Sequence, residues 1–191
     1  MIVGVDEAGR GPLAGMVVGC ALALKKPAPP TLKDSKQLSP LRRKELFFWL
    51  RQHAIFAVGM ATHTEIDQSN ILAATFLAFD RAISGLIKKA PKLKKAKFII
   101  DGSLFRSRHK INYLCQPKAD QTVKEVSAAS IVAKVSRDYF MDLADYLYPQ
   151  WGFAQHKGYP TKTHYALLEK FSLSPLHRCS FSPCRKYRQK K

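Results

Sequence analysis

Four acidic side chains stand where strands of a sheet are predicted to end, and their oxygen atoms could together hold divalent cations. Asp6 and Glu7 close the first apolar run of the chain, Asp101 closes a later one, and Asp120 precedes a long helical pattern. Acids at the ends of different strands of one sheet can converge on a single point. Two carboxylates about 4 Å apart repel by about 4 kcal/mol at an effective dielectric constant of about 20. Such a cluster needs raised pKa values or bound cations, and oxygen-only ligands favour Mg²⁺ or Mn²⁺ over zinc.

The same acids have ordinary structural interpretations, and the order of the strands alone leaves both readings open. A single acid at a strand end is more often a turn former or a helix cap, and Asp120 could cap the helix that follows it. Asp6 and Glu7 would face opposite sides of a straight strand. We expect them to meet only if the chain leaves the strand at this point, which the following residues 8–12, AGRGP, permit.

The hydrophobic patterns predict an α/β fold in which a mixed sheet is flanked by helices. Predicted strands cover residues 1–6, 16–24, 54–62, 98–101 and 111–115, and predicted helices cover 40–53, 70–87, 122–147 and a segment that follows 156. Ser39 can cap the first helix, and Thr122 with Glu125 fits a capping box for the long one. Residues 1–150 are expected to form the main domain and 151–191 a helical extension with a basic tail packed on it.

The balance of charge predicts a polyanionic partner. The 191 residues include 32 lysines and arginines against 14 acids, a formal charge of +18. Such an excess raises the local concentration of phosphates and their rate of association, so nucleic acid is the favoured partner. An anionic membrane surface and simple solubility are the alternatives. The lysine-rich segment 88–97 and the basic tail 185–191 could contact DNA or remain solvated.

The remaining features of the sequence favour a cytoplasmic protein. No apolar run reaches the roughly 18 residues of a membrane span, and the first residues lack the basic region of a signal peptide. The four cysteines are scattered, as is typical of free thiols in a reducing compartment, and Cys179 and Cys184 have no second pair to complete a zinc site. For His156, His164 and His177 we expect packing and hydrogen bonding rather than zinc binding.

An ordered series of short motifs resembles ribonuclease HII, a branch of the type 2 ribonuclease H family. The motifs are VDEAGRGPLAG at 5–15, DSKQLS at 34–39, SNILAAT at 69–75, IIDG at 99–102, KADQTVKEVSAASIVAKVSRD at 118–138, HKGYPTKTHYALLEKF at 156–171 and SPLHRCSF at 174–181. Each motif is modest alone, whereas the ordered set covers nearly the whole chain and is specific. Arg10 between two glycines favours the HII branch over the sister HIII branch.

The resemblance implies a ribonuclease H-like fold, with a mixed five-stranded sheet, helices on both sides and a helical C-terminal region. It implies a metal-dependent endonuclease that hydrolyses the RNA strand of RNA–DNA hybrids and cuts on the 5′ side of ribonucleotides embedded in duplex DNA. The products would carry 3′-hydroxyl and 5′-phosphate ends. The cofactor would be Mg²⁺ or Mn²⁺, with two ions during catalysis. We expect a monomer and leave a clamp or polymerase partner open.

The resemblance also implies roles for particular residues. Metal binding and catalysis would fall to the four acids already named, Asp6, Glu7, Asp101 and Asp120. Contact with the 2′-hydroxyl, the group that distinguishes RNA from DNA, and with the neighbouring phosphate would fall to Gly9, Arg10 and Gly11. Tyr159 would stack on the sugar at the RNA–DNA junction, and Ser35 and Lys36 would hold the substrate backbone. The structural alternatives are that Tyr159 covers the C-terminal lobe and that Ser35 and Lys36 form a turn.

Two departures from the family pattern are visible, and two other functions compete. Ser172 and Ala119 stand where relatives usually or often have glycine, and Ser172 could alter how the C-terminal lobe presents Tyr159. One competing function is another nuclease of the same broad fold, such as a junction resolvase or a transposase-like enzyme, which needs no 2′-hydroxyl contact. The other is a nonenzymatic nucleic-acid binder, which would leave four strand-end acids without a purpose.

Overall fold

The sheet of the protein has five strands in the order β3-β2-β1-β4-β5. The structure is a computed structural model, and it describes residues 1–32 and 38–188. The strands are β1 (Ile2–Ala8), β2 (Val17–Leu24), β3 (Ala54–Ala61), β4 (Lys97–Asp101) and β5 (Asn112–Gln116). Strand β1 pairs antiparallel with β2 and parallel with β4, while β3 joins β2 antiparallel and β5 joins β4 parallel. The predicted mixed five-stranded sheet is therefore confirmed.

Helices cover both faces of this sheet. They are α1 (Pro40–His53), α2 (His63–Gln68), α3 (Ile71–Lys89), α4 (Lys124–Leu147), α5 (Phe153–His156), α6 (Lys162–Phe171) and α7 (Ser182–Arg185). Residues of α3 pack with β1, β3 and β4 in one apolar cluster, and residues of α1 and α4 pack with β2 in a second cluster on the other face. Within the described residues, no helix combines the length and apolar character needed to cross a bilayer.

The central strand β1 lies directly against the long helix α4. Val3 and Val5 point into the apolar cluster on the α3 side, so the alternate residues face α4. Gly4 is one of these, and a Cβ atom added there would lie 2.2 Å from the backbone carbonyl carbon of Glu125. Glycine is therefore required for this close approach, which brings the α4 face of β1, where Asp6 also lies, against the start of the long helix.

Two predictions about local structure need correction, and one helix was not predicted. Strand β1 does not end at Asp6, because its pairing with β2 continues through Glu7 and Ala8. The capping box expected at the start of α4 does not form: no side chain caps this helix, and the Thr122 hydroxyl instead accepts a hydrogen bond from Gln116 Nε2 at 2.8 Å. The short helix α2 was not predicted, although its cap, Thr62, does form a capping box with its third residue.

The C-terminal region is bonded to the segment that follows β1. The backbone N–H of Leu13 donates to Gly158 O at 2.8 Å, and that of Gly15 donates to Leu176 O at 2.9 Å. Leu13 O in turn accepts from the N–H of Arg178 at 2.8 Å. Residues late in the chain therefore hold the turn between β1 and β2 in place. The proposed boundary at residue 150 stays a prediction.

Candidate active site and metal centre

Three carboxylates converge at one edge of the sheet. Asp6, Asp101 and Asp120 each offer an oxygen atom, and these atoms all lie within 4.8 Å of one another. The convergence of the first two follows from strand register: Val5 of β1 pairs with Ile100 of β4, so the next residue of each parallel strand reaches the same level. Both acids also share the parity of the residues that face α4.

The third carboxylate is brought to the site by the connection between β5 and α4. Asp120 lies in a short 3-10 helix, Ala119–Gln121, which begins after Lys118 adopts a left-handed backbone conformation with φ 58°. The backbone N–H of Ala119 donates to Asp101 Oδ1 at 2.8 Å. The hydroxyl of Ser127 on α4 donates to the backbone carbonyl of Asp120. The loop is thus attached to one of the other acids on one side and to the long helix on the other.

The electrostatics of the site favour a bound cation. Asp6 is 5% exposed and Asp120 is 2% exposed, so neither carboxylate is well solvated. Burial raises the pKa of Asp6 well above its ordinary value, and the charges of Glu7 and Asp101 raise it further. A hydrogen bond at 2.7 Å from the backbone N–H of Glu7 to Asp6 Oδ1 acts in the opposite direction. A divalent cation among the carboxylates would replace this repulsion by attraction and favour the ionised acids.

The donor set fits a hard cation. All three ligand atoms are carboxylate oxygens, which Mg²⁺ and Mn²⁺ prefer. Adjacent oxygens on an octahedral ion with bonds of about 2.1 Å lie about 3 Å apart, so a group of this span can close around an ion with small side-chain adjustments. Within residues 1–32 and 38–188 this is the one group of three or more acidic, histidine or cysteine side chains with such spacing.

Glu7 does not belong to the group of three. Glu7 follows Asp6 within β1, and its charge nevertheless acts on Asp6, whose pKa it raises. Its Oε1 atom lies 3.7 Å from Nη1 of Arg10. The chain thus stays in the strand at the point where the sequence analysis left a departure open, and a role of Glu7 as a metal ligand stays a prediction.

The two glycines of the Gly9–Arg10–Gly11 turn face different surroundings. Gly9 has φ +102°, and a Cβ atom there would lie 2.3 Å from Nε of Arg137, so only glycine fits. A Cβ atom at Gly11 would meet nothing within 4 Å. Arg10 and Gly11 are exposed, while Gly9 is buried. The turn therefore has one end packed into the protein and one end open to a ligand.

Tyr159 lies on the surface, next to two cationic side chains. Its side chain is partly exposed, at 36%. Nζ of Lys134 lies 5.2 Å from the centre of its ring and the guanidinium carbon of Arg137 lies 5.6 Å away, within the range of cation–π attraction. The Tyr159 ring thus contacts two cationic side chains and keeps part of its surface exposed to solvent. Ser35 and Lys36 lie outside the described residues, so their predicted contacts with the substrate stay predictions.

The three late histidines form a hydrogen-bonded cluster beneath Tyr159, as the sequence interpretation favoured. The rings of His156 and His164 stack with centres 4.0 Å apart. Nδ1 of His177 accepts from the backbone N–H of Ser174 at 2.8 Å, so the proton of this ring is on Nε2. That Nε2 lies 2.9 Å from Nε2 of His164, which must accept, and His164 Nδ1–H therefore donates to Tyr159 O at 2.9 Å. Each of the three rings thus donates a hydrogen bond from one nitrogen and accepts one at the other, as a neutral imidazole does.

Two functional candidates were missed by the sequence analysis. Arg137 and Arg178 are fully buried, at 0% exposure, and both bond to the turn between β1 and β2. Arg137 could have been identified from the sequence, because it is a charged residue on the buried face of α4, whose other residues are uncharged. Arg178 lies in the motif SPLHRCSF, outside any helix or strand, so no periodicity indicated its burial.

A ribonuclease H-like mixed sheet with a buried cluster of carboxylates at its edge defines the protein as a metal-dependent nuclease of that fold. The sequence model of the family described as Ribonuclease HII matches residues 3–184. The chain belongs to the ribonuclease HII family. It is therefore an endonuclease of the ribonuclease H type, a phosphodiester hydrolase that uses a divalent metal, and its family acts on RNA–DNA substrates.

Relatives with known names or structures support this assignment. The chain is 43% identical over 188 residues to Ribonuclease HII of Acinetobacter baylyi, with 97% of each chain covered. It is similar in structure to the ribonuclease H2 from Pyrococcus horikoshii OT3, with a TM-score of 0.78, 27% identity, and 99% and 97% of the two chains covered. Bst-RNase HIII, solved in complex with Mn²⁺, has a TM-score of 0.80 at 20% identity, over 97% of this chain and 68% of that one. This last similarity concerns the fold alone.

Proposed function

We propose that the protein cuts the RNA strand of RNA–DNA hybrids and cuts on the 5′ side of single ribonucleotides embedded in duplex DNA. The products carry 3′-hydroxyl and 5′-phosphate ends. The observation that carries the proposal is the convergence of Asp6, Asp101 and Asp120 within 4.8 Å. Asp6 lies on β1, the strand that leads into the Gly9–Gly11 turn. The carboxylate cluster, where the phosphodiester would be cut, thus lies close in sequence to the Gly9–Gly11 turn, whose backbone can approach a sugar closely.

The metal would be Mg²⁺ or Mn²⁺, with two ions during catalysis. Asp6, Asp101 and Asp120 would hold the ions together with Glu7, the next residue of β1, whose charge acts on Asp6. When bound, such ions activate a water molecule and stabilise the leaving 3′-oxygen. Without cations, the carboxylates would repel the substrate phosphate at the point where it must bind.

Selection of the ribonucleotide falls to the protein's own backbone and side chains. The 2′-hydroxyl can both donate and accept a hydrogen bond. The open end of the turn, at Arg10 and Gly11, presents backbone N–H groups without a side-chain obstruction at Gly11. Tyr159 stacks on the sugar of the following deoxynucleotide, while Lys134 and Arg137 hold its ring by cation–π contacts. Together these groups would recognise one ribose followed by one deoxyribose.

The remaining parts of the proposal concern the surroundings of the site. The formal charge of +18 draws the nucleic acid in by a screened, sequence-independent attraction. Ser35 and Lys36 hold the substrate backbone. The protein acts as a monomer, and a cytoplasmic location agrees with its four free cysteines.

One assay tests the proposal against its competitors. Two otherwise identical DNA duplexes, one with a single ribonucleotide and one without, are incubated with the protein in EDTA, Mg²⁺ or Mn²⁺. We expect one cut, on the 5′ side of the ribonucleotide and only with metal. Equal cutting of both duplexes would favour a nuclease of the resolvase or transposase kind, and binding without cutting would favour a nonenzymatic binder. Sequencing-gel mobility and phosphatase sensitivity of the products identify their ends.

A further inference from the structure

The buried arginine Arg178 holds the Gly9–Arg10–Gly11 turn through backbone carbonyls. Its Nη2 donates to Gly9 O at 2.6 Å, and its Nη1 donates to Arg10 O at 3.0 Å and to Pro12 O at 2.7 Å. Its Nε donates to Gly15 O at 2.9 Å. Within the described residues, all of its side-chain hydrogen bonds thus end on one seven-residue stretch of main chain. A single planar guanidinium therefore fixes the path of the turn.

Burial of the Arg178 cation costs desolvation free energy, which its hydrogen bonds to the carbonyls must offset. Arg178 is 0% exposed, and burial together with the charge of Arg137 lowers its pKa to about 9, so it remains a cation at neutral pH. An apolar side chain would fill the same space without a desolvation penalty. Four main-chain carbonyls of residues 9–15 point at this one guanidinium, and a charged donor bonds them more strongly than a neutral one.

The direction of these carbonyls has a consequence for the outer side of the turn. Each peptide group that points its oxygen at Arg178 is planar, so its N–H points away from the guanidinium. Fixing the carbonyls of Gly9 and Arg10 therefore also fixes the N–H groups of Arg10 and Gly11, at the exposed end of the turn. These are the groups that a 2′-hydroxyl or a phosphate oxygen would meet.

A second buried arginine connects the same stretch to Tyr159. Arg137 donates to Ala14 O at 3.1 Å and to Met16 O at 3.1 Å, and also to Lys157 O at 2.9 Å. Its guanidinium carbon lies 5.6 Å from the centre of the Tyr159 ring. The far end of the turn segment and the segment that carries the tyrosine are therefore held by one side chain, at a set spacing.

We propose that Arg178 is the positioning residue of the turn that selects the ribonucleotide, and that it does so by orienting the backbone of Gly9–Pro12. This inference rests on the proposed function of the turn. Arg178 itself does not touch the substrate; it determines which way the peptide groups that do so are aimed. Lysine cannot replace it, because a lysine ammonium is a compact charge with three donors and cannot span four carbonyls in one plane.

Arg178→Lys is the test variant, and Arg81→Lys is its matched control. Arg81 of α3 also donates to a backbone carbonyl, Met60 O at 2.6 Å. It forms an ion pair with Glu65 of α2. Affinities are measured with Ca²⁺ in place of Mg²⁺, for a duplex with one ribonucleotide and for the same duplex in DNA alone. We expect Arg178→Lys to lower the ratio of the affinity for the ribonucleotide duplex to the affinity for plain DNA about tenfold, as for the loss of a hydrogen bond to a charged group. The affinity for plain DNA itself should change less than twofold. Arg81→Lys should keep the wild-type ratio.

The outcomes separate this inference from the proposed function. A wild-type protein that binds both duplexes equally would overturn ribonucleotide selection, and this inference with it. A wild-type preference that Arg178→Lys retains in full would overturn this inference alone. A purely structural role would lower the amount of active protein for both duplexes and leave their ratio unchanged.

Arg178→Ala gives an independent test through chemical rescue. Guanidinium ion at low millimolar concentration, far below denaturing levels, can enter the space left by the side chain and bond the same carbonyls. We expect it to restore at least part of the affinity ratio in Arg178→Ala and to have no effect on Arg81→Ala. Failure to restore the ratio in a variant whose near-ultraviolet circular dichroism is native would count against the inference.

Discussion

The backbone N–H of Ala119 donates a hydrogen bond to Oδ1 of Asp101 at 2.8 Å. The bond joins the end of β4 to the residue that precedes Asp120, so one carboxylate of the site helps to place another. Besides its proposed function as a metal ligand, Asp101 therefore has a second, separable function as an acceptor for the loop. Variants of Asp101 can distinguish them.

Asp101→Asn should abolish cutting and preserve both the fold and the binding of substrate. The asparagine carbonyl can still accept from Ala119, and removal of one charge lowers the repulsion of the phosphate. Single-turnover cutting should fall at least about 10³-fold, as for the loss of a group essential to transition-state stabilisation, while affinity stays equal or improves. Asp101→Ala is the comparison: it loses the acceptor as well, and we expect it to lower stability by about 1–3 kcal/mol. Equal unfolding midpoints for the two variants would contradict the structural function of Asp101.

Metal binding should stabilise the protein in the absence of substrate. A ligand at about 100 times its dissociation constant adds about 2.7 kcal/mol to the free energy of unfolding, so saturating Mn²⁺ should raise the thermal midpoint measurably. Asp6→Asn should lose most of this shift, because Asp6 belongs to the cluster of three carboxylates. Glu65→Gln, an acid on α2 outside the cluster, should keep it. A shift of the same size in Asp6→Asn would place the stabilising ion elsewhere.

Tyr159→Ala should impair cutting at single ribonucleotides more than cutting of long RNA–DNA hybrids. Only the former substrate presents a deoxyribose immediately after the ribose, and stacking on an aromatic ring is worth about 1–3 kcal/mol per nucleotide. We expect about a tenfold or larger difference between the two losses in kcat/KM. Tyr159→Phe keeps the ring and should behave like the wild type. Equal losses on both substrates would mean that Tyr159 only covers the C-terminal lobe.

Ser172→Gly should stabilise the protein by about 1 kcal/mol. Ser172 ends α6 with φ 62° and ψ −154°, a region that is nearly restricted to glycine and costs other residues about 1–3 kcal/mol. Glycine removes this strain but loses the hydrogen bond from Ser172 Oγ to Tyr187 O at 3.2 Å. Ser172→Ala keeps the strain and loses the same bond, so it should be slightly destabilised. Urea unfolding of the three proteins measures both effects, and a less stable glycine variant would contradict the strain argument.

Acidification below about pH 6.5 should destabilise the protein through its histidine cluster. Burial lowers the pKa of His164 from 6.5 to about 4 and that of His177 to about 3. Between these values and pH 6.5 the unfolded chain binds protons that the folded protein does not, so stability is complete above pH 6.5 and falls as the pH decreases. At one pKa unit per 1.4 kcal/mol, the loss at pH 4.5 is at most about 2–3 kcal/mol for each histidine.

Urea unfolding between pH 7.5 and 4.5 measures this dependence. His177→Gln removes one buried titrating ring, so its stability should decrease less steeply with falling pH than that of the wild type. His53→Gln is the control, since His53 lies at the partly exposed end of α1, and it should follow the wild-type slope. If His177→Gln also follows that slope, acid destabilisation arises from other groups.

Much of the fold could be predicted from the chain alone, because the signals are local. The apolar run at the start of β1 and the apolar stripe of α3 are properties of neighbouring residues. The start of α1 was predictable for the same reason, since Ser39 Oγ accepts from the backbone N–H of Arg42 three residues later. The start of α4 was not, because Thr122 takes a partner from β5 in place of its own helix.

The sequence by itself determined which residue types could do the chemistry: strand-end acids, a glycine–arginine turn and a surface tyrosine. Only the tertiary structure decided that Asp6, Asp101 and Asp120 meet, since parallel register joins segments far apart in the chain. The same holds for Arg178, whose charge bonds carbonyls more than 160 residues earlier. Long-range pairing of this kind leaves no periodicity in the sequence, because it depends on which surfaces the completed fold brings into contact.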